Sequence, residues 1–237
     1  MSYLYIKKTI PLSTPRTGSH KKFAWVFFVF GAFVFTFAFY PILSYQIKYA
    51  SSFNPIINPL STRFYNQNDS ILGSLDTDYT QISNWFVDQS SSKTEISDHH
   101  NSSYLLSIPK LKINQAIVSV GSMDLKKSLI QYPQTALPGQ LGNTVIFGHS
   151  VLPQFFNPKS YLTIFSTLFK LETGDQIVLD FDNIQYRYLV EELFEVQPTN
   201  LSVLEQRFDG RYLTLITCSP PGTYLRRLII KARIVEF

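Results

Sequence analysis

The stretch FAWVFFVFGAFVFTFAFYPILSYQI, residues 23–47, carries no charged side chain. At 1.5 Å rise per residue, about 20 apolar residues cross the hydrocarbon core of a bilayer. No water reaches the backbone there, so such a segment must satisfy its own hydrogen bonds, and a helix does so. Residues 23–47 are therefore predicted to form a transmembrane helix. A cleaved signal peptide fits less well, because its apolar region stops at about 15 residues and ends in a small-x-small site. This run is longer, and Pro41, Tyr45 and Lys48 stand at its end. A buried core helix also fits poorly, since no polar face interrupts the run.

The flanks set the orientation. Residues 1–22 hold Lys7, Lys8, Arg16, Lys21 and Lys22 and no acid, whereas only Lys48 and then Arg63 follow the apolar run. The positive-inside rule keeps residues 1–22 as a cytoplasmic basic tail and places everything after about residue 48 outside the cell. The same count removes a nucleic-acid reading. The chain's net charge is +4, and the tail alone supplies more than that, which leaves the remainder slightly acidic.

Residues 48–103 are rich in Ser, Asn, Asp and Thr without a sustained apolar period, and read as an extracellular polar stalk. Trp85 and Phe86 are its one apolar island. A short local turn is the expected reading, with docking on the domain beyond as the alternative. From residue 104 to 237 the texture changes to short runs rich in Val, Ile, Leu and Tyr: YLLSIPKLKINQAIVSV, NTVIFGHS, DQIVLDF, QYRYLVEELFEV, RYLTLITC and RRLIIKARIVEF. Turn residues separate them, PGQLGN and ETGD most clearly, and the pattern predicts a mainly β domain. Short helices are expected near Asp124 (MDLKKSLI) and Leu162 (SYLTIFSTLF). The domain is long enough to bury a core without disulfides.

Cys218 is the only cysteine. Outside the cell a structural cysteine is normally paired, so an unpaired one is either a small buried hydrophobe or a reactive thiol. The SPPG that follows ends its strand, because proline cannot donate to a sheet ladder, and leaves the sulfur at a strand end. His149 closes TVIFGH and is either a packed polar ring or a proton carrier. His20 lies on the cytoplasmic side, and His99 and His100 lie in the stalk. In RRLIIKARI alternate side chains face opposite ways. Arg226 shares a face with Leu228, Ile230, Ala232 and Ile234, which marks that face as the interior. Arg227 shares the other with Ile229, Lys231 and Arg233 and is the better placed of the two to project into a groove beside Cys218; a solvated arginine is the alternative.

A thiolate stabilised by nearby positive charge, a histidine that gives and takes a proton, and an arginine that binds an oxyanion make a coherent acyl-transfer set. One cysteine and one candidate histidine fall short of a metal site, and no cofactor or metal is expected. GxGxxG does not occur.

On these residues the chain resembles the sortase family. TLITCSPPGTYLRRLIIKARI is similar to the family's TLxTC strand, turn and arginine-bearing strand. LPGQLGNTVIFGHS is similar to the segment ending in its histidine, and SIPKLKINQAIV to its opening strand. The turn after the cysteine looks like the class D to E style. The resemblance implies a closed eight-stranded β-barrel with a few short helices, and a membrane-anchored cysteine transpeptidase. It implies that Cys218 attacks a threonine carbonyl in the C-terminal sorting motif of a secreted protein and forms a thioacyl enzyme. An amine of the cell envelope or a pilin lysine then resolves that intermediate. It implies His149 as general acid and base, Arg227 as substrate and oxyanion holder, and Thr217 as a substrate-binding residue. The Asp-Pro-aromatic lid of pilin-building sortases is absent, and SNWFVD does not match it. A hydrolase using water in place of the amine, and a non-catalytic membrane-tethered β-domain binding peptides or glycans, are the competing readings.

Overall fold

The computed structural model describes residues 18–45, 47, 78, 80–82, 85 and 102–235. The chain divides into two compact units, Met1–Tyr40 and Pro41–Phe237. In the first, helix α1 (Gly18–Tyr45, which ends inside the second unit) presents Phe23–Tyr40 as a span of mean hydropathy 2.1 with none of it buried. It is the one helix among the described residues long and apolar enough to cross a membrane. The hydroxyl of Thr36 donates to the Ala32 carbonyl at 2.8 Å, so this polar group is satisfied within the helix, as lipid would require.

The second unit is built on a closed barrel. Its strands are β1 (Ser103–Ile108), β2 (Ile113–Val120), β3 (Leu129–Gln131), β4 (Gly142–Phe147), β5 (Gln176–Phe181), β6 (Ile184–Val196), β7 (Arg211–Ser219) and β8 (Arg226–Ile234). They close in the order β1-β2-β3-β4-β7-β8-β6-β5, with β2/β3 and β4/β7 parallel and the other pairs antiparallel. Closure leaves no free sheet edge. The fold is the one expected from the sequence, a closed eight-stranded barrel of mainly β structure. The three-residue β3, inside SLIQ, had no sequence signal of its own.

The two expected short helices are not there. Around Leu162 the amides of Thr163, Ser166 and Leu168 each bond to the carbonyl three residues back, and the Thr163 hydroxyl bonds to the Asn157 and Ser160 carbonyls. Hydroxyl side chains that compete for backbone groups hold this stretch in tight turns, ending in a 3-10 turn at Leu168–Lys170. Near Asp124 the carboxylate accepts the Lys126 amide, and the apolar residues that follow go to β3.

Side chains of β4, β7 and β8 are buried on both faces. Leu213, Leu215, Leu228 and Ile230 point into the barrel with Ile146. Their alternates Ile216, Cys218, Ile229, Val145 and Phe147 form a second apolar cluster with Phe194 and Val196 of β6. The β8 parity read from sequence holds: Leu228, Ile230 and Ala232 are interior and Ile229 is not.

Trp85 does not sit in an isolated local turn. It is fully buried in the second cluster, its ring edge-on to Phe147 at 5.5 Å. A large aromatic ring gains more by covering an apolar sheet face than by facing water, and that gain overrides the polar character of its neighbours. Phe86, His99, His100 and the other residues of the 48–103 stretch, apart from 78, 80–82, 85, 102 and 103, lie outside the described residues.

Candidate active site

Strands β7 and β8 pair antiparallel with Cys218 directly opposite Arg227. Directly opposed residues share a face, and the Arg227 Nη1 lies 3.7 Å from the Cys218 sulfur. SPPG ends β7 at Ser219, as the proline rule requires, so the pair stands at the turn end of the hairpin, one residue before the connection to β8.

Arg227 is only 1% exposed. Its Nη1 also donates to the carbonyls of Tyr224 and Arg226, both at 3.2 Å, and its Nη2 to the Trp85 carbonyl at 2.8 Å. The guanidinium stacks 5.1 Å from the Trp85 ring centroid. Its Nε has no partner, and among the described residues no carboxylate pairs with it. A buried cation held by carbonyls and a ring, with one donor idle, is set up to receive negative charge.

The Cys218 thiol is pushed up to about 11 by burial, an effect that Arg227 partly offsets. At neutral pH the closed arrangement therefore holds a thiol. It contains the charge partner a thiolate would need.

His149 is placed by the extension of β4 beyond Phe147. The Gly148 amide donates to the Ile216 carbonyl at 3.1 Å, the Thr217 hydroxyl donates to the Gly148 carbonyl at 2.8 Å, and the Ser150 hydroxyl donates to the Cys218 carbonyl at 3.1 Å. Since Phe147 pairs with Ile216 in parallel register, these bonds carry residue 149 to the level of residue 218. Gly148 is required here, because a side chain on it would strike the Phe165 ring, 2.2 Å from where a Cβ would stand. The His149 Nδ1 lies 2.9 Å from the Leu162 carbonyl. A carbonyl only accepts, so Nδ1 carries the hydrogen and Nε2 is the nitrogen left to exchange protons. Burial lowers the pKa of His149, opposed by the Leu162 carbonyl and by the charge of Asp78.

Thr217 faces away from Cys218, buried at the opposite parity, and its hydroxyl goes to Gly148. That carbonyl belongs to the residue immediately before His149.

The cover over the pair is the lesser of the two readings that the sequence offers for Trp85, docking on the domain beyond. Residues 80–82 run against residues 123–125: Ile82 donates to the Met123 carbonyl, Leu125 to that of Thr80, and Gln81 bridges Asp124. Asp78 caps this stretch by accepting the Thr80 amide and hydroxyl. The Asp-Pro-aromatic pattern is absent, yet the aromatic of SNWFVD lies on the arginine. Its one signal was a tryptophan isolated in a polar stretch. Among the described residues no three His, Cys, Asp or Glu side chains gather as a metal would need.

A family model described as "Sortase domain" matches residues 106–235. The chain is 31% identical over 112 residues to sortase SrtE1 of Streptomyces coelicolor, covering 44% of this chain and 30% of that protein. It is 32% identical over 89 residues to sortase A of Listeria monocytogenes, covering 37% of this chain and 36% of that protein. The matches thus span well under half the length of either relative. Among solved structures it is similar to a sortase D5 transpeptidase of Clostridium perfringens, with TM-score 0.50 and 27% identity over 58% of this chain and 82% of that one. It is also similar to sortase A of Corynebacterium diphtheriae, with TM-score 0.51 and 25% identity over 58% and 63% of the two chains.

Proposed function

This chain belongs to the sortase family, and on that premise we propose that it is a membrane-anchored cysteine transpeptidase working outside the cell, with residues 1–22 cytoplasmic and Phe23–Tyr40 of the apolar run in the membrane. Its substrates are secreted proteins bearing a C-terminal sorting motif. Its acceptor is an amine of the cell envelope or a pilin lysine.

The observation that carries this reading is the contact between the Arg227 guanidinium and the Cys218 sulfur at paired strand ends. Once substrate enters, the Cys218 thiol passes its proton to Nε2 of His149, the resulting thiolate attacks the threonine carbonyl carbon of the motif, and Arg227 hydrogen-bonds the oxyanion that forms. The carbon–nitrogen bond breaks as His149 gives a proton through Nε2 to the leaving amine, which leaves a thioester on Cys218. The acceptor amine attacks that thioester and loses its proton to His149. The thiolate departs and a new amide remains. Thr217 keeps His149 in place through Gly148. Substrate must first displace Trp85, whose carbonyl occupies one nitrogen of the arginine.

The test is to incubate the full chain in detergent with peptides carrying candidate C-terminal motifs, with and without added amines, and to follow products by mass. A thioacyl adduct on Cys218, converted to an amide only when amine is present, is the expected result. Free acid as the product whether or not amine is present would mean a hydrolase.

The complete burial of the sulfur under Trp85 favours a second reading, a non-catalytic membrane-tethered β-domain that binds extracellular peptides or glycans. Such a domain has no reason to open, and its thiol would resist a methanethiosulfonate reagent.

A further inference from the structure

Two arginines stand side by side in the chain, and the structure gives them different partners. Arg226 lies opposite Ser219, one residue beyond the Cys218–Arg227 pair. Its Nη1 donates to Glu195 Oε2 at 3.3 Å. The other oxygen of that carboxylate, Oε1, accepts from the Ser219 hydroxyl and from the Tyr45 hydroxyl, the latter at 2.6 Å, and the two hydroxyls are themselves 2.6 Å apart. Glu195 is 4% exposed, Ser219 and Tyr45 hardly at all, and the Tyr45 ring packs edge-on against Phe169 at 5.1 Å. One buried carboxylate therefore joins three strands: its own β6, β7 immediately after the cysteine and β8 immediately before the arginine. Leaving such a carboxylate without partners is costly, so the three donors are held firmly.

We propose that Glu195, with Tyr45 and Ser219 as its hydroxyl donors, is a positioning residue that ties down Arg226 and the ends of β7 and β8 and so holds Arg227 against the sulfur of Cys218. This rests on the reading of Cys218 and Arg227 as the reacting pair. The clamp closes the hairpin on the face opposite the pair. Through Glu195 the side chains of Ser219 and Arg226 share one carboxylate. Without the clamp the first residues of β8 fray and the guanidinium leaves the sulfur.

The test is a double-mutant cycle on the full chain in detergent, read by the rate at which iodoacetamide alkylates Cys218 at pH 7. E195Q keeps an oxygen for the two hydroxyls but cannot accept from Arg226 with a carboxylate. It is expected to slow alkylation by about threefold or more when Arg227 is present and to have no slowing effect in the R227A background, the signature of two coupled residues. Y45F is expected to act in the same direction with a smaller effect, and stands in if E195Q fails to fold. Equal slowing in both backgrounds would mark a general structural role and overturn the proposal. So would an unchanged rate, and so would acceleration, which is what direct removal of a nearby negative charge does to a thiolate. Alkylation needs no peptide substrate, so failure of the transpeptidase reading would show in the transfer assay and failure of the clamp here.

Discussion

The two faces of β7 and β8 are equally buried and differ in what they leave unsatisfied. On the inner face Leu213, Leu215, Leu228 and Ile230 pack among apolar neighbours, and the buried Tyr104 hydroxyl is paired with Gln131. On the outer face one residue over, Ile216 and Ile229 pack as tightly, but Cys218 and Arg227 bring a sulfur and a cation whose Nε has no partner. Burial on its own therefore does not separate scaffold from site. An uncompensated charge at the end of a well-packed strand does.

The largest effect that tests this contrast is loss of the nucleophile. Cys218→Ala is expected to abolish the thioacyl adduct while the barrel still unfolds cooperatively, and adduct formation by that variant would remove Cys218 from the chemistry. Next, Arg227→Ala and His149→Ala are expected to lower kcat/KM by about a hundredfold each, as loss of an oxyanion donor or of an acid–base group does. Arg226→Ala is expected to cost less than either. Equal losses for the two arginines would mean that strand parity does not separate their roles.

On the inner face, Ile230→Ala is expected to cost about 3 kcal/mol of stability, seen as a lower thermal midpoint, and to leave the pH midpoint of Cys218 alkylation where it was. A shifted midpoint would show that the two faces are not separable. Smallest is the effect of lifting the cover. Burial is the main reason the thiol sits at about 11 instead of its ordinary value near 9.0. Trp85→Ala is therefore expected to lower the alkylation midpoint, and each unit of decrease raises the thiolate fraction at pH 8 about tenfold. An unchanged or higher midpoint would mean that Trp85 does not shield the sulfur.

Much of the site was legible because its logic is local. The alternation in RRLIIKARI assigns Ile229 and Arg227 to one face and Leu228 and Ile230 to the other, and SPPG ends β7, both from neighbours in sequence alone. The docking of Trp85 was only an alternative in the sequence, since nothing around it repeats with a helical or strand period. The place of Thr217 was not legible: its hydroxyl turns to Gly148 because the parallel pairing of β4 with β7 brings that carbonyl within reach. The turns near Leu162 were misread as helix because hydroxyl competition for the backbone outweighed an apolar spacing.

Sequence alone determined the apolar span, the run of strands and which face of β8 looks inward, since each follows from the spacing of side chains along one segment. Tertiary structure decided which buried groups meet: the Trp85 carbonyl reaches an arginine 142 positions away, and Glu195 gathers Tyr45, Ser219 and Arg226. A hydrogen bond depends on a few ångströms and a direction, and only the closed barrel sets both for residues so far apart in the chain.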